Sequence, residues 1–177
     1  MKFALAVLVL VLVSGCSTMA PPRYGSSPEN VVALREYKGA GIQVTSLRQS
    51  ASFSAGCRLM GDIEPADGKS MPEFIADAIN SELMLAEAHG SDISLTGEVN
   101  EISFSSIEGL TNGEWIIGLK LEDSEGASAE VRTVYRFKSG FDAITACNAT
   151  ADALTPAVQD TIRDMIGSPD FAKLVEK

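Results

Sequence analysis

The stretches EWIIGLKLE at residues 114–122 and EVRTVYRFK at residues 130–138 decide the fold of this chain. In each stretch apolar side chains alternate with polar ones, which is the period of a β-strand with one buried face. A third alternating stretch, ISLTGEV at residues 93–99, comes before them, and turn sequences at residues 111–113 and 124–126 separate the strands. We therefore predict an antiparallel meander with one apolar face and one mostly polar face.

A helix is predicted before these strands. Ser70 and Glu73 fit a capping box, in which the serine and the glutamate each accept a hydrogen bond from the other's backbone N–H. Apolar residues then recur at spacings of three and four, as on the buried face of a helix. We expect this helix to end at His89 and Gly90, because a glycine after the last turn is a common terminator.

A second helix is predicted after the strands, with Asp142 as its N-cap and an apolar stripe that continues to Met165 or Ile166. Pro156 should kink or split it at Thr155, since a proline inside a helix removes a hydrogen bond. With a short strand at residues 42–47, the order is β-α-β-β-β-α. The predicted class is α+β, with a mainly antiparallel sheet and two helices packed on one face.

The N-terminus carries a targeting signal. Lys2 is followed by an apolar run over residues 3–13 that is too short to span a bilayer, and by the sequence VSGC at residues 13–16. The alternatives are an ordinary cleaved signal and an uncleaved membrane anchor. The motif resembles the lipobox of bacterial lipoproteins, which implies removal of residues 1–15 and acylation of Cys16. By the same resemblance, Ser17 favours sorting to the outer membrane, facing the periplasm, over retention in the inner membrane.

The segment after Cys16 has the composition of a linker. Residues 16–30 are rich in serine, proline and glycine and lack hydrophobic periodicity, so we predict a lipidated flexible tether there. Residues 31–177 are then a single periplasmic domain. Val31 to Tyr37 fits either a short helix capped at Ser27 and Pro28 or a strand.

The charge balance excludes some partners. Removal of residues 1–15 leaves 13 basic and 24 acidic residues, a net charge of −11. A nucleic-acid partner is not expected, because binding to phosphates needs a basic face. Anionic lipids also attract basic segments, so we expect this acidic domain to contact the lipid bilayer only through the acylated Cys16.

Two further cysteines follow, Cys57 and Cys147. In an oxidising periplasm such a pair most often forms a disulfide, and the alternative is two buried thiols. We predict the disulfide, which would close a loop of about 90 residues.

No catalytic or cofactor-binding constellation is present in the sequence. The single histidine, His89, lacks a partner motif for a metal site or a triad. The tract DIEPADG at residues 62–68 has the wrong acid spacing for a calcium loop. No phosphate-binding glycine loop occurs either. We therefore expect a non-enzymatic protein without a cofactor or a metal.

The element order on a lipid anchor resembles small α/β domains of outer-membrane accessory lipoproteins, such as activators of peptidoglycan synthases and the plug lipoprotein of lipopolysaccharide export. It is also similar to other proteobacterial lipoproteins. The resemblance implies an accessory or binding module for an envelope protein partner. The open sheet face would supply a basic and apolar patch with these residues: Ile116, Lys120, Arg132, Val134 and Arg136.

Two other interpretations stay open. The same face could be a solvated surface with cross-strand pairs between glutamates and basic residues. The protein could also be a periplasmic binder of a small molecule or lipid, with a pocket between the apolar sheet face and the loop 48–69.

Overall fold

The computed structural model describes residues 19–109 and 111–176 of the 177-residue chain. The elements follow in this order: α1 Pro28–Leu34, β1 Ile42–Gln49, α2 Met71–Leu85, β2 Ile93–Glu108, β3 Asn112–Glu122, β4 Ser128–Lys138, α3 Ala143–Asp152, α4 Leu154–Ile166 and α5 Pro169–Val175. Short 3₁₀ turns lie at Arg35–Tyr37 and Ala66–Gly68.

The four strands form one sheet in the order β1-β2-β3-β4. β2, β3 and β4 are antiparallel neighbours, whereas β1 pairs parallel to β2 because α2 carries the chain back between them. The predicted α+β class with a mainly antiparallel sheet is confirmed. The helices pack on the side of the sheet that presents the alternating apolar residues, which are buried and include Trp115, Ile117, Leu119 and Leu121.

β2 is longer than its alternating pattern predicts. The pattern stops at Val99, but the strand continues to Glu108. The register shifts between Val99 and Glu101, where a bulge inserts an extra residue. The bulge moves Ile102 and Phe104 to the buried face, and therefore breaks the period that marks a strand in the sequence.

The two main helices begin at their predicted caps. Ser70 and Glu73 form the capping box, and the Asp142 carboxylate accepts a hydrogen bond from the Thr145 N–H at 2.9 Å. α2 ends at Leu85, four residues before His89, because Glu87 takes a positive φ of 60°. The prediction that it ends at His89 is therefore wrong.

The predicted break in the second long helix is present, but it falls at Ala153 rather than Thr155. Pro156 then lies in the first turn of α4. Backbone N–H groups in a first turn have no acceptor within the helix, so the N–H that proline lacks costs no hydrogen bond there. The turn between β2 and β3 also differs, since Gly109, with φ of 68°, supplies its left-handed residue. Gly113 lies inside β3 against the Phe137 ring.

The described part of the predicted tether is packed, so it is not a free linker. Met19 is 5% exposed, and the Tyr24 hydroxyl donates a hydrogen bond of 2.5 Å to the Glu82 carboxylate in α2. The same carboxylate oxygen accepts from the Ser27 N–H at 2.8 Å. Composition alone missed this contact because its acceptor, Glu82, lies 55 residues further along the chain. Ser27 caps α1, so the helical alternative at residues 31–37 is the observed one.

Candidate functional surfaces

The open sheet face is the side of the sheet opposite the helices. The predicted partner-binding residues all lie there, on β3 and β4, and Ile116 stands directly opposite Val134. Val134 is 40% exposed and Ile116 is half-buried. The structure therefore brings these residues together as the alternation predicted, around one small apolar pair.

The basic residues of the open sheet face are not free charges. Arg132 donates to both carboxylate oxygens of Glu101 at 2.7 and 3.1 Å. Glu101 lies on β2, and Gly118 on β3 separates it from Arg132 in the register. Because Gly118 has no side chain, the guanidinium can reach across the middle strand; a Cβ there would clash with the Glu101 side chain.

The other cations of this face have acidic partners as well. Lys120 contacts Glu122 at 2.9 Å, and Arg136 lies 3.5 Å from Glu114. The hydrogen bond to Glu122 raises the pKa of Lys120, so its charge is fixed. The predicted basic patch is therefore wrong in its electrostatics, because the strand register places a glutamate beside each of these cations. What remains is a neutralised polar surface around an apolar pair.

The disulfide between Cys57 and Cys147 is present, with 5.9 Å between the two Cα atoms. Both residues are buried, and the bond joins the loop 50–69 to α3. Cys16, the predicted lipidation site, lies outside the described residues.

The proposed pocket beneath the loop 48–69 is filled by side chains. Phe53 packs against Phe104 and Trp115, with 6.1 Å between its ring centroid and each of theirs. Ile63 from the same loop is fully buried in the core. An apolar void elsewhere in the interior, beside Leu34, holds only about 10 Å³, which is far below the size of a ligand site.

A groove of about 550 Å³ lies between β1 and α2. Asn80 crosses it, donating to the Val44 carbonyl at 2.8 Å and accepting from the Val44 N–H at 2.9 Å. The side chain thus satisfies part of the edge of the sheet. Lys69 and Asp77 of α2 also line the groove and pair at 2.6 Å, so these two residues offer it no free charge.

A second exposed surface was not predicted from the sequence. It is the apolar loop cluster, which lies where β2 and β4 end and β3 begins. Its residues are Leu59, Ile107, Phe141 and Ile144. No periodicity could have revealed it, because its residues come from the loop 50–69, the end of β2, the connection after β4 and the first turn of α3.

Neither a metal site nor a membrane span is apparent in the part of the chain that the structure describes. No group of three or more histidine, cysteine or acidic residues there could hold a metal ion. None of the helices between residues 19 and 176, leaving aside residue 110, is long and apolar enough to cross a membrane. His89 is exposed after α2 and forms an isolated bridge with Ile42.

No known family and no curated protein matches the sequence. Among solved structures, the chain is similar to protein XCC0632 from Xanthomonas campestris, which belongs to the family DUF330. The TM-score is 0.46 and the identity 14%, over 83% of this chain and 93% of that chain. A likeness this low transfers neither a site nor an activity.

Proposed function

We propose that this protein is a non-enzymatic lipoprotein, anchored in the outer membrane through Cys16, and that its domain binds an envelope protein through the open sheet face. The observation that carries the proposal is the one-sided packing of the sheet. Among the described residues, helices cover the face with Trp115, and the opposite face exposes Val134 on the edge strand β4, beside Ile116 on β3.

The chemistry of the open sheet face suits a protein partner better than a charged ligand. Its arginines already pair with glutamates, so a partner would meet oriented dipoles and hydrogen-bonding groups rather than a net positive charge. An apolar centre of Ile116 and Val134 within a polar rim has the general composition of a transient interface. The small size of that centre favours a modest affinity.

The anchor is tested first by mass spectrometry of the N-terminal peptide from membranes. We expect an acylated Cys16 at its terminus, and a Cys16→Ser variant should stay unprocessed. An unmodified cysteine in the native protein would contradict the anchor.

The interface is tested by photo-crosslinking in cells, with p-benzoylphenylalanine in place of Val134. We expect one discrete adduct that disappears when Ile116→Asp is added. Leu85→Asp is the matched control, because Leu85 is an exposed apolar residue at the end of α2 and lies away from the sheet face. An adduct that persists in Ile116→Asp, or one lost equally in both variants, would remove the open sheet face as the binding surface.

A further inference from the structure

The apolar loop cluster concentrates exposed apolar surface at one end of the domain. Of the eight large apolar side chains that are exposed among the described residues, four belong to it. Leu59 is fully exposed and Phe141 is 80% exposed. Isolated exposed apolar residues are ordinary on a protein surface, whereas several at one place mark a contact site.

Arg58 holds the loops of this cluster together. Its guanidinium donates to the Ser106 hydroxyl at 2.9 Å, to the Ser106 carbonyl at 3.0 Å and to the Phe141 carbonyl at 3.2 Å. The neighbouring Cys57 is bonded to Cys147 in α3. The exposed side chains are therefore presented on a braced scaffold, and their exposure is not a consequence of loose loops.

The chain enters the domain at this same end. A Cβ on Gly61 would lie 3.4 Å from the Met19 methyl group, so the N-terminal segment packs beside the turn that carries Leu59. Only Ser17 and Thr18 lie between Cys16 and Met19, and the three residue steps from one Cα atom to the other span at most about 11 Å. An acyl chain on Cys16 would therefore hold this end of the domain close to the bilayer surface.

Contacts with the domain also fix the direction of the N-terminal segment after Met19. Beyond Met19, Arg23 pairs with Asp67 at 3.0 Å, and Tyr24 packs edge-on against Phe74 at 6.0 Å between ring centroids. The contact with Glu82 follows further along α2. The anchor is thus joined to the domain by a packed segment, so one particular end faces the membrane.

We infer that the apolar loop cluster rests on the lipid bilayer, with Leu59 and Phe141 inserted at its interface. The inference depends on the proposed lipid anchor and adds the orientation of the domain to it. Exposed acids such as Asp62 and Glu64 stand beside the cluster, so the contact is apolar insertion and not attraction to anionic headgroups. The domain would then contact the membrane at two places, the acylated Cys16 and the apolar loop cluster. The net charge alone led us to expect contact only through Cys16.

The test uses the acylated full chain in phosphatidylcholine vesicles, with p-benzoylphenylalanine in place of Leu59, of Phe141 or of Leu85. Leu85 is the matched control because it is an exposed leucine at the last residue of α2, about 20 Å along the helix from the loop end. We expect lipid adducts at positions 59 and 141 at least about fivefold more abundant than at position 85, since only inserted side chains meet acyl chains.

The outcomes separate this inference from the proposed function. Acylated protein with equal lipid adducts at all three positions overturns the orientation and leaves the anchor standing. A crosslink from position 59 or 141 to another protein in whole cells, in place of lipid, overturns it in favour of a protein interface. An N-terminal peptide without acyl chains overturns both.

Discussion

Removal of the disulfide between Cys57 and Cys147 tests how much this bond contributes to the stability of the fold. The double variant C57A/C147A, in a C16S background that leaves no thiol, deletes the disulfide cross-link between the loop 50–69 and α3. The bond closes 90 residues of chain, for which the loop-entropy relation gives about 4.6 kcal/mol of stability at 25 °C. That is a large part of the total stability of a domain of this size.

Urea unfolding followed by tryptophan fluorescence measures the effect. Trp115 is the only tryptophan, is fully buried, and packs beside Phe53 of the cross-linked loop, so it reports both on the core and on the loop. We expect the free energy of unfolding to fall by about 4 to 5 kcal/mol, and the m-value to rise because the unfolded chain is less compact.

Reduction of the C16S protein is the matched control, since it breaks the same bond without removing the two sulfur atoms from the core. The reduced protein and the C57A/C147A variant should agree within about 1 kcal/mol, the difference being the small cavities left by alanine. A loss below about 1 kcal/mol in both would refute the reasoning, because closing so long a loop could not then have restricted the unfolded chain.

Three further variants test local features. Glu82→Ala leaves the Tyr24 hydroxyl without its acceptor, in a site where burial already raises the pKa of Tyr24. Hydrogen exchange of the backbone amides in residues 19–27 should therefore accelerate roughly thirtyfold, equivalent to about 2 kcal/mol. An unchanged exchange rate would show that contacts other than the one with Glu82 hold this segment on the domain. Gly97→Ala places a Cβ against the Lys120 carbonyl and should lower the free energy of unfolding in urea by about 1 to 3 kcal/mol. Gly25→Ala is the control, because a Cβ there meets open space, and its free energy of unfolding should change by less than about 0.5 kcal/mol. Equal losses in the two variants would contradict the close approach of β2 and β3 at Gly97. Hydrogen bonds from Thr145 lower the pKa of Asp142 in the folded state. The ionised carboxylate therefore stabilises the fold at neutral pH, and this stabilisation is lost as the pH falls from about 3.9 through the lowered pKa. Asp142→Asn keeps the N-cap of α3 but cannot ionise, so its free energy of unfolding in urea should depend less steeply on pH in that range. The same dependence on pH in both proteins would contradict a stabilising role for the Asp142 charge.

The sequence by itself determined the strands β3 and β4, the caps of α2 and α3, and the pairing of the two cysteines. These features depend on residues close together in the chain, or on composition and compartment. Alternation of apolar and polar residues assigns each side chain to one face of a strand, so the sequence also placed Ile116 and Val134 on the open sheet face. Asp142 and Ser70 act within three residues of themselves, which is why their roles could be predicted.

Only the tertiary structure decided the charge of the open sheet face and the path of the N-terminal segment. Arg132 meets Glu101 across an intervening strand, and that pairing depends on register and on the bulge in β2, neither of which has a local signal. Glu82 binds a segment more than fifty residues away. The apolar loop cluster arises for the same reason: β2, β3 and β4 bring their loops to one end of the sheet, and no stretch of sequence records which loops will meet there.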